Sequence, residues 1–292
     1  MTMTPLPRVM VEPLVRAALL EDLGRAGDLT TDAIVPPDAT ATMVLAARQP
    51  GVIAGLAVAA LAFELIDPRT EVTIIDADGS AVSVGDIIAS VRGPARALLT
   101  AERTALNFLC HLSGISTQTA AIVDAVRGHK AKIVCTRKTT PGLRALEKYA
   151  VRAGGGGNHR FGLDDAMLVK DNHIAIAGDI RTAIERARAA AGHMVKVEVE
   201  VDTLDQLDIA LGMGVDAVLL DNMSVDQLTL AVAMVGGRAI TEASGRVTAQ
   251  TAPAIAATGV DLISAGWITH SAPILDIGLD VEIDLNRNKL LN

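Results

Sequence analysis

Apolar positions recur at helical spacing from Val9 to Asp22, which predicts a short helix followed by a loop around Gly24 and Gly27. From Ala41 to Arg92 the pattern is strand-like. Val72, Ile74 and Asp76 alternate with Thr73 and Ile75, and Gly51, Gly55, Gly85 and Gly93 punctuate further short strands. Asp78-Gly79 predicts a two-residue hairpin turn, because both residues tolerate positive φ. This stretch reads as a small α+β domain. Thr100 then caps a helix through Ala101, Glu102, Arg103, Ala105, Leu109 and Leu112, broken near Ser113-Gly114, where the domain boundary is placed.

Beyond that point the rhythm changes to strand, loop, helix, repeated. Strands are predicted at Lys132–Thr136, Ala166–Val169, Met194–Val199, Asp216–Leu220, Ala239–Glu242 and Asp261–Ser264. Helices are predicted at Ile180–Ala191, Leu204–Gly212 and Val225–Val235. Such alternation implies a parallel sheet, either open and doubly wound or closed into a barrel. No GxGxxG or GxxxxGK[ST] follows any strand, which weakens a dinucleotide or nucleoside-triphosphate reading. Every strand ends in polar residues or glycine, so a barrel, complete or not, is preferred, with its site at the C-terminal strand ends. The fold class is α/β. The domains are 1–114, 115–276 and a C-terminal tail, 277–292, expected to pack back on the first.

Composition narrows the function. With 292 residues, half of them hydrophobic, the chain can bury two cores. Lys plus Arg number 26 against 34 Asp plus Glu, a net charge of −8, and aromatics are only 2%. A nucleic-acid partner is therefore not expected. Cys110 and Cys135 lie in apolar stretches without metal-ligand spacing and read as buried thiols of a cytoplasmic protein. The Pro-containing first 16 residues do not form a signal peptide, and no run suits a membrane helix.

The strand ends carry the chemistry. In chain order they deliver Thr136, Arg137 and Lys138; Lys170, Asp171, Asn172 and His173; Glu200; Asp221 and Asn222; Glu242, Ser244 and Gly245; and Ser264, Ala265 and Gly266. Gly154 to Gly157 followed by Asn158, His159 and Arg160 lies between the first two. Taken singly, each has a plainer explanation: a solvated Arg-Lys pair, an outward Glu in Val-Glu-Val-Glu-Val, a flexible glycine run. On one barrel, however, all these ends face one mouth. Arg137, Lys138, Arg160 and Lys170, with His159 as a fifth candidate cation, would repel one another unless an anion filled the gap. Glu200 and Asp221 on consecutive strands suit Mg2+ or sugar hydroxyls. Ala243-Ser244-Gly245 and Ser264-Ala265-Gly266, each read as preceding a helix start, suit phosphate. The implied ligands are a phosphorylated sugar and an acid-bearing acceptor.

At this point the residues resemble a known family. Thr136-Arg137-Lys138-Thr139-Thr140-Pro141-Gly142-Leu143-Arg144, Glu147-Lys148-Tyr149-Ala150, the glycine run with Asn158-His159-Arg160, and Lys170-Asp171-Asn172-His173 are similar to quinolinate phosphoribosyltransferase. So are Glu102-Arg103-Thr104-Ala105-Leu106-Asn107, Glu198-Val199-Glu200-Val201, Leu220-Asp221-Asn222, Glu242-Ala243-Ser244-Gly245 and Thr269-His270-Ser271. The resemblance runs from about Leu20 to Leu279. It implies a small open-faced α+β N-terminal domain on an incomplete parallel α/β barrel, assembled as a homodimer. It implies transfer of a phosphoribosyl group from 5-phosphoribosyl 1-diphosphate to quinolinate, with Mg2+, releasing pyrophosphate and CO2 and giving nicotinate mononucleotide.

By the same resemblance Arg103 reaches the partner subunit's site, and Arg137, Lys138, His159, Arg160 and Lys170, with Thr136, surround quinolinate. Glu200 and Asp221 serve the ribose and metal, and the two small-residue segments bind phosphate. Lys138, Glu200 and Asp221 are the expected catalytic residues. Arg246, Trp267 and Met223 depart from the family's pattern. A molybdenum-uptake-associated sister group generally lacks the Asn-His-Arg and Lys-Asp-Asn-His forms present here, and nicotinate phosphoribosyltransferases share the scaffold but take a monoacid. The rival chemistry is a Schiff-base lyase with Lys170 as nucleophile.

Overall fold

The apolar spacing near the start forms α1 (Arg8–Leu23), and α2 (Leu29–Ile34) follows, its first turn capped by Asp28, which accepts the Thr31 backbone N–H at 2.9 Å. Next come β1 (Thr40–Ala47), β2 (Gly51–Val52), α3 (Leu56–Ile66), β3 (Glu71–Ile74), β4 (Ala81–Val82), β5 (Ile87–Pro94) and the 31-residue α4 (Ala95–Ala125). The chain continues through β6 (Lys132–Val134), α5 (Arg144–Ala153), β7 (Met167–Val169), α6 (Asp171–Ala177), α7 (Ile180–Ala190), β8 (Val197–Val201) and α8 (Leu204–Gly212). It ends with β9 (Ala217–Asp221), α9 (Val225–Val235), β10 (Ile240–Ser244), α10 (Ala252–Ala257), β11 (Leu262–Ser264), α11 (Trp267–His270) and β12 (Ile277–Val281). The computed structural model describes residues 3–281. Among them no helix is long and apolar enough to cross a membrane.

Two compact units divide the chain. The first holds the residues up to Thr117, Pro141–Gly154 and those from Ala272 onward; the second holds Gln118–Thr140 and Gly155–Ser271. Three expectations for the first unit are corrected. Leu56–Ile66 is a helix inside the stretch read as strands. Leu56, Val58, Ala59, Leu61, Ala62 and Phe63 are all buried, so little polar face marks the helical period, while the Ala- and Leu-rich composition favours helix.

The turn at Asp78-Gly79 exists, with Gly79 at φ 91, but it joins no hairpin. β3 pairs with β5 and β4 with β2, because Gly79 N–H donates to Ile53 O at 2.8 Å and draws the chain away. Finally, α4 does not break at Ser113-Gly114. Gly114 is there for close packing: a Cβ would collide with the Pro273 carbonyl oxygen.

The sheet of this unit is antiparallel in the order β12-β1-β5-β3. The described part of the C-terminal tail is therefore a strand, with Ala47 opposite Ile277 and Met43 opposite Val281; residues 282–292 lie outside the described residues. α5 also belongs to this unit although it follows β6. Tyr149 donates to Asp78 Oδ2 at 2.6 Å, and His111 Nε2 lies 3.0 Å from the buried Glu147. With these anchors, the division by contacts falls inside α4 and returns Pro141–Gly154 to the first unit.

The second unit is the α/β part. Its six strands are parallel, in the order β6-β11-β10-β9-β8-β7, and among the described residues β6 and β7 do not pair. The barrel is thus incomplete. Side-chain caps restart the helices after the strands: Asp179 accepts from Thr182 N–H at 2.8 Å and Thr203 from Gln206 N–H at 3.2 Å, and Ser224 and Gln227 cap each other. On β8, Val197, Val199 and Val201 point to one buried face, so Glu198 and Glu200 share the other. That alternation positions the site.

Candidate active site

Because all six strands run the same way, their C-terminal ends open at one side of the sheet. There a cavity of about 580 Å³ is lined by Thr136, Arg137, Lys138, His159, Arg160, Lys170, Glu200, Asp221, Asn222, Glu242, Ser244, Gly245, Arg246 and Ser264, with Leu168 and Leu219. This size suits a small ligand pocket. A second cavity, of about 520 Å³, includes Lys130, Lys196, Asp216 and Asp261. There Lys196 Nζ lies 2.7 Å from Asp216 and Lys130 Nζ 3.0 Å from Asp261, while Arg238 on the same wall donates to the Val235 and Met234 carbonyl oxygens.

Of the residues singled out from the sequence, three small ones stay off the cavity wall. Ala243 and Ala265 are buried, and Gly266 lies behind Lys138: a Cβ on Gly266 would come within 2.9 Å of Lys138 Cδ, so glycine there lets the lysine stem pass. α11 starts directly after Gly266, but after Gly245 the next helix, α10, begins only at Ala252; the expected helix start at that segment is corrected, and the loop instead brings Arg246 to the cavity. Trp267 donates its indole N–H to Val247 O at 2.7 Å, tying the two late loops together. Arg103 belongs to the other unit, exposed on α4.

Arg137 and Arg160 keep buried donors without protein partners, whereas Lys170 is paired. The Nε atoms of Arg137 and Arg160 are buried with no hydrogen-bond partner, while one Arg160 terminal nitrogen donates to Ala166 O at 3.0 Å. Burial, and then the charge of Arg137, push the Arg160 guanidinium below its ordinary range. Two arginines close enough to repel, each with a buried Nε free of protein partners, suit an anion with two negative groups. Lys170 donates from Nζ to Glu200 Oε2 at 2.7 Å.

Asp221 Oδ2 accepts from Asn222 Nδ2 at 2.6 Å, and Asn222 N–H donates to Ser244 O at 3.0 Å. Asn222 has φ 52, the single positive-φ non-glycine residue among those described, and Asn tolerates that conformation better than most. Beside it, Gly245 at φ 139 adopts a conformation that side chains rarely take, and a Cβ there would crowd Asn222 Oδ1 at 3.0 Å.

Beneath this mouth His159 meets Glu242 and Glu198, the last of which the sequence reading did not place in the site. His159 Nε2 is 2.9 Å from Glu198 Oε2 and 3.5 Å from Glu242 Oε2. Its Nδ1 accepts the Arg160 backbone N–H at 2.8 Å. Both carboxylate oxygens of Glu242 are buried with no hydrogen-bond partner. Burial, followed by the charge of Glu198, raises the Glu242 carboxyl to about 7. The backbone N–H on Nδ1 leaves Nε2 as the ring nitrogen that faces the two carboxylates. Strand alternation on β8 was the signal that could have found Glu198, since it shares a face with Glu200.

Comparison with known proteins agrees with this geometry. The family model for the quinolinate phosphoribosyl transferase N-terminal domain matches residues 28–113, and that for the C-terminal domain matches residues 115–280. The chain is 49% identical over 273 residues to the nicotinate-nucleotide pyrophosphorylase [carboxylating] of Mycobacterium leprae, covering 91% of this chain and 95% of that protein. It is 44% identical to a probable enzyme of the same name from Bacillus subtilis, covering 94% of each. Among solved structures, NadC from Streptococcus pyogenes superposes with a TM-score of 0.92 at 42% identity, over 96% of this chain and all of that one. With both halves matched by one family and relatives similar along nearly their whole length, the chain belongs to the quinolinate phosphoribosyl transferase family.

Proposed function

We propose that the mouth formed by β6 to β11 is where this enzyme transfers a phosphoribosyl group from 5-phosphoribosyl 1-diphosphate to quinolinate with loss of CO2, giving nicotinate mononucleotide for NAD synthesis. The observation that carries the reading is the pair of buried, partnerless arginine Nε atoms at Arg137 and Arg160, beside the Lys170–Glu200 pair. Quinolinate brings two carboxylates, and two arginines with Lys138 and Lys170 balance them.

The pyridine nitrogen attacks the anomeric carbon, and the carbon–oxygen bond to diphosphate breaks with its electrons leaving on pyrophosphate. Positive charge develops on the sugar, where Glu200 and Asp221 stabilise it. Asn222 holds Asp221 in place through its amide. The carbon–carboxylate bond beside the new pyridinium nitrogen then breaks. Its electron pair stays on the ring carbon, stabilised by the adjacent positive nitrogen, until that carbon takes a proton from water.

The family also implies Mg2+. Two carboxylates at neighbouring strand ends are a hard-oxygen donor set that suits it, so Glu200 and Asp221 would hold it. When bound it would offset charge on the diphosphate. Ser244, Gly245 and Ser264, with Arg246 beside them, are the groups proposed to meet phosphate.

The Schiff-base alternative is disfavoured by the ion pair at Lys170, since that chemistry needs an uncharged amine. We further propose a cytoplasmic homodimer in which Arg103, exposed on α4, serves the partner's site. Neither Cys110 nor Cys135 forms a disulfide, which suits that compartment.

The test is to incubate the protein with quinolinate, phosphoribosyl diphosphate and Mg2+; equal amounts of CO2 and nicotinate mononucleotide are expected, and absence of both products would refute the assignment. For the dimer, mixing inactive Arg103→Ala with inactive Glu200→Ala should restore partial activity. No recovery in confirmed mixed dimers places Arg103 elsewhere.

A further inference from the structure

His159, Glu198 and Glu242 bring one ring nitrogen and two carboxylates within 4.8 Å of one another, a donor set that at first sight invites a metal ion. The ring's other nitrogen argues otherwise. A backbone N–H can only donate, so the 2.8 Å contact from Arg160 N to His159 Nδ1 leaves Nδ1 without a proton. The ring proton of the neutral tautomer then sits on Nε2, which faces Glu198 at 2.9 Å and Glu242 at 3.5 Å as a donor and has no lone pair for a metal.

Both ring nitrogens are thereby engaged by protein groups, yet His159 lines the cavity. What it offers a ligand is its flat carbon framework. The four flanking cations, Arg137, Lys138, Arg160 and Lys170, already suffice for two carboxylates, and a fifth charge would favour the carboxylates over the ring nitrogen that must react.

We infer that Glu198 and Glu242 are positioning residues for the acceptor: together they hold His159 as the neutral Nε2–H tautomer, so that it packs against the pyridine ring instead of pairing with a carboxylate. Glu198 is the direct acceptor. Glu242, buried and without a hydrogen-bond partner of its own, is the second acceptor toward which the same N–H leans. The part concerning the ligand rests on quinolinate being the acceptor; the tautomer does not.

The direct test is nitrogen NMR of 15N-histidine-labelled enzyme, with the His159 signals assigned by their loss in His159→Gln. Without ligand, His159 should show one protonated nitrogen, Nε2, and one unprotonated, Nδ1, and saturating quinolinate should leave that pattern unchanged. Two protonated nitrogens in either state, or the proton on Nδ1, would overturn the proposal even if the enzyme turns over quinolinate.

Kinetics supply the second arm. In the double variant Glu198→Leu/Glu242→Leu, KM for quinolinate should rise roughly tenfold or more while KM for phosphoribosyl diphosphate stays put, since misplacing an orienting group acts on the substrate it orients. The double variant Glu198→Gln/Glu242→Gln keeps amide oxygens as acceptors and should restore KM to within a few fold. Equal KM values in the folded leucine variant, or no rescue by glutamine, would reduce the pair to a structural role. Failure of the parent enzyme to make nicotinate mononucleotide would count against the proposed function and leave the tautomer measurement standing.

Discussion

The mouth of the six-strand sheet and the floor beneath it use the same residue types to opposite ends. Glu200 and Glu198 stand two residues apart on one face of β8. Glu200 reaches the mouth and binds the ammonium of Lys170; Glu198 stays below and meets the His159 ring. Arginine nitrogens at the mouth are left without partners, whereas the floor leaves a carboxyl, Glu242, without one. The difference teaches how one cavity can want an anion and still hold buried acids: the mouth is charged and open to ligand, and the floor relieves its charge by sharing few protons among close groups.

The largest expected effects lie at the mouth. Lys138→Ala and Glu200→Ala should each lower turnover about a hundredfold, about 3 kcal/mol at the transition state, with circular dichroism and melting unchanged. Wild-type-like turnover in either variant would remove that residue from the mechanism and blur the contrast with the floor.

The floor should answer to pH instead. Glu242 titrates near 7 in the folded protein against 4.5 for a free glutamate. Between those values the unfolded chain has lost a proton that the native state keeps, so stability falls as pH rises through this window and levels off above it. Glu242→Gln removes the ionisation. Its melting temperature should match the wild type near pH 4 and exceed it increasingly toward pH 8, a gain of about 1–3 kcal/mol. A constant difference across this range would show that Glu242 is not held protonated.

A smaller effect is expected at the edge of the mouth. Asn222→Gly keeps the positive φ but removes the amide that holds Asp221, so turnover should drop several fold while stability changes by about 0.5 kcal/mol or less. A large loss of stability would mean that Asn222 serves the fold more than the site.

The two units differ as much in legibility as in structure. In the second unit, strands and helices alternate with clear caps, and Leu204–Gly212 and Val225–Val235 form with the bounds the pattern predicts. The strand-end residues Arg137, Lys170, Glu200 and Asp221 meet at one cavity, as parallel strands require. β8 is displaced from the predicted Met194–Val199 because Met194 is exposed and the alternating Val-Glu run, which sets the strand, extends to Val201. In the first unit a helix buried around most of its girth looks like strands, and Gly114 looks like a helix end when it marks a close approach to Pro273. Such packing is set by residues distant in sequence and leaves no local trace. What faces the His159 ring is equally non-local, since Glu198 and Glu242 come from β8 and β10.

The central claim is that Arg137 and Arg160, whose buried Nε atoms lack protein partners, read a second carboxylate on the acceptor. Its most direct test is kcat/KM for quinolinate and for nicotinate, which lacks that carboxylate, at saturating phosphoribosyl diphosphate in the wild type and in Arg160→Met. The account predicts a preference for quinolinate of at least about a hundredfold, largely lost in the variant. Equal use of the two acceptors by the wild type, or an undiminished preference after Arg160 is removed, would contradict it.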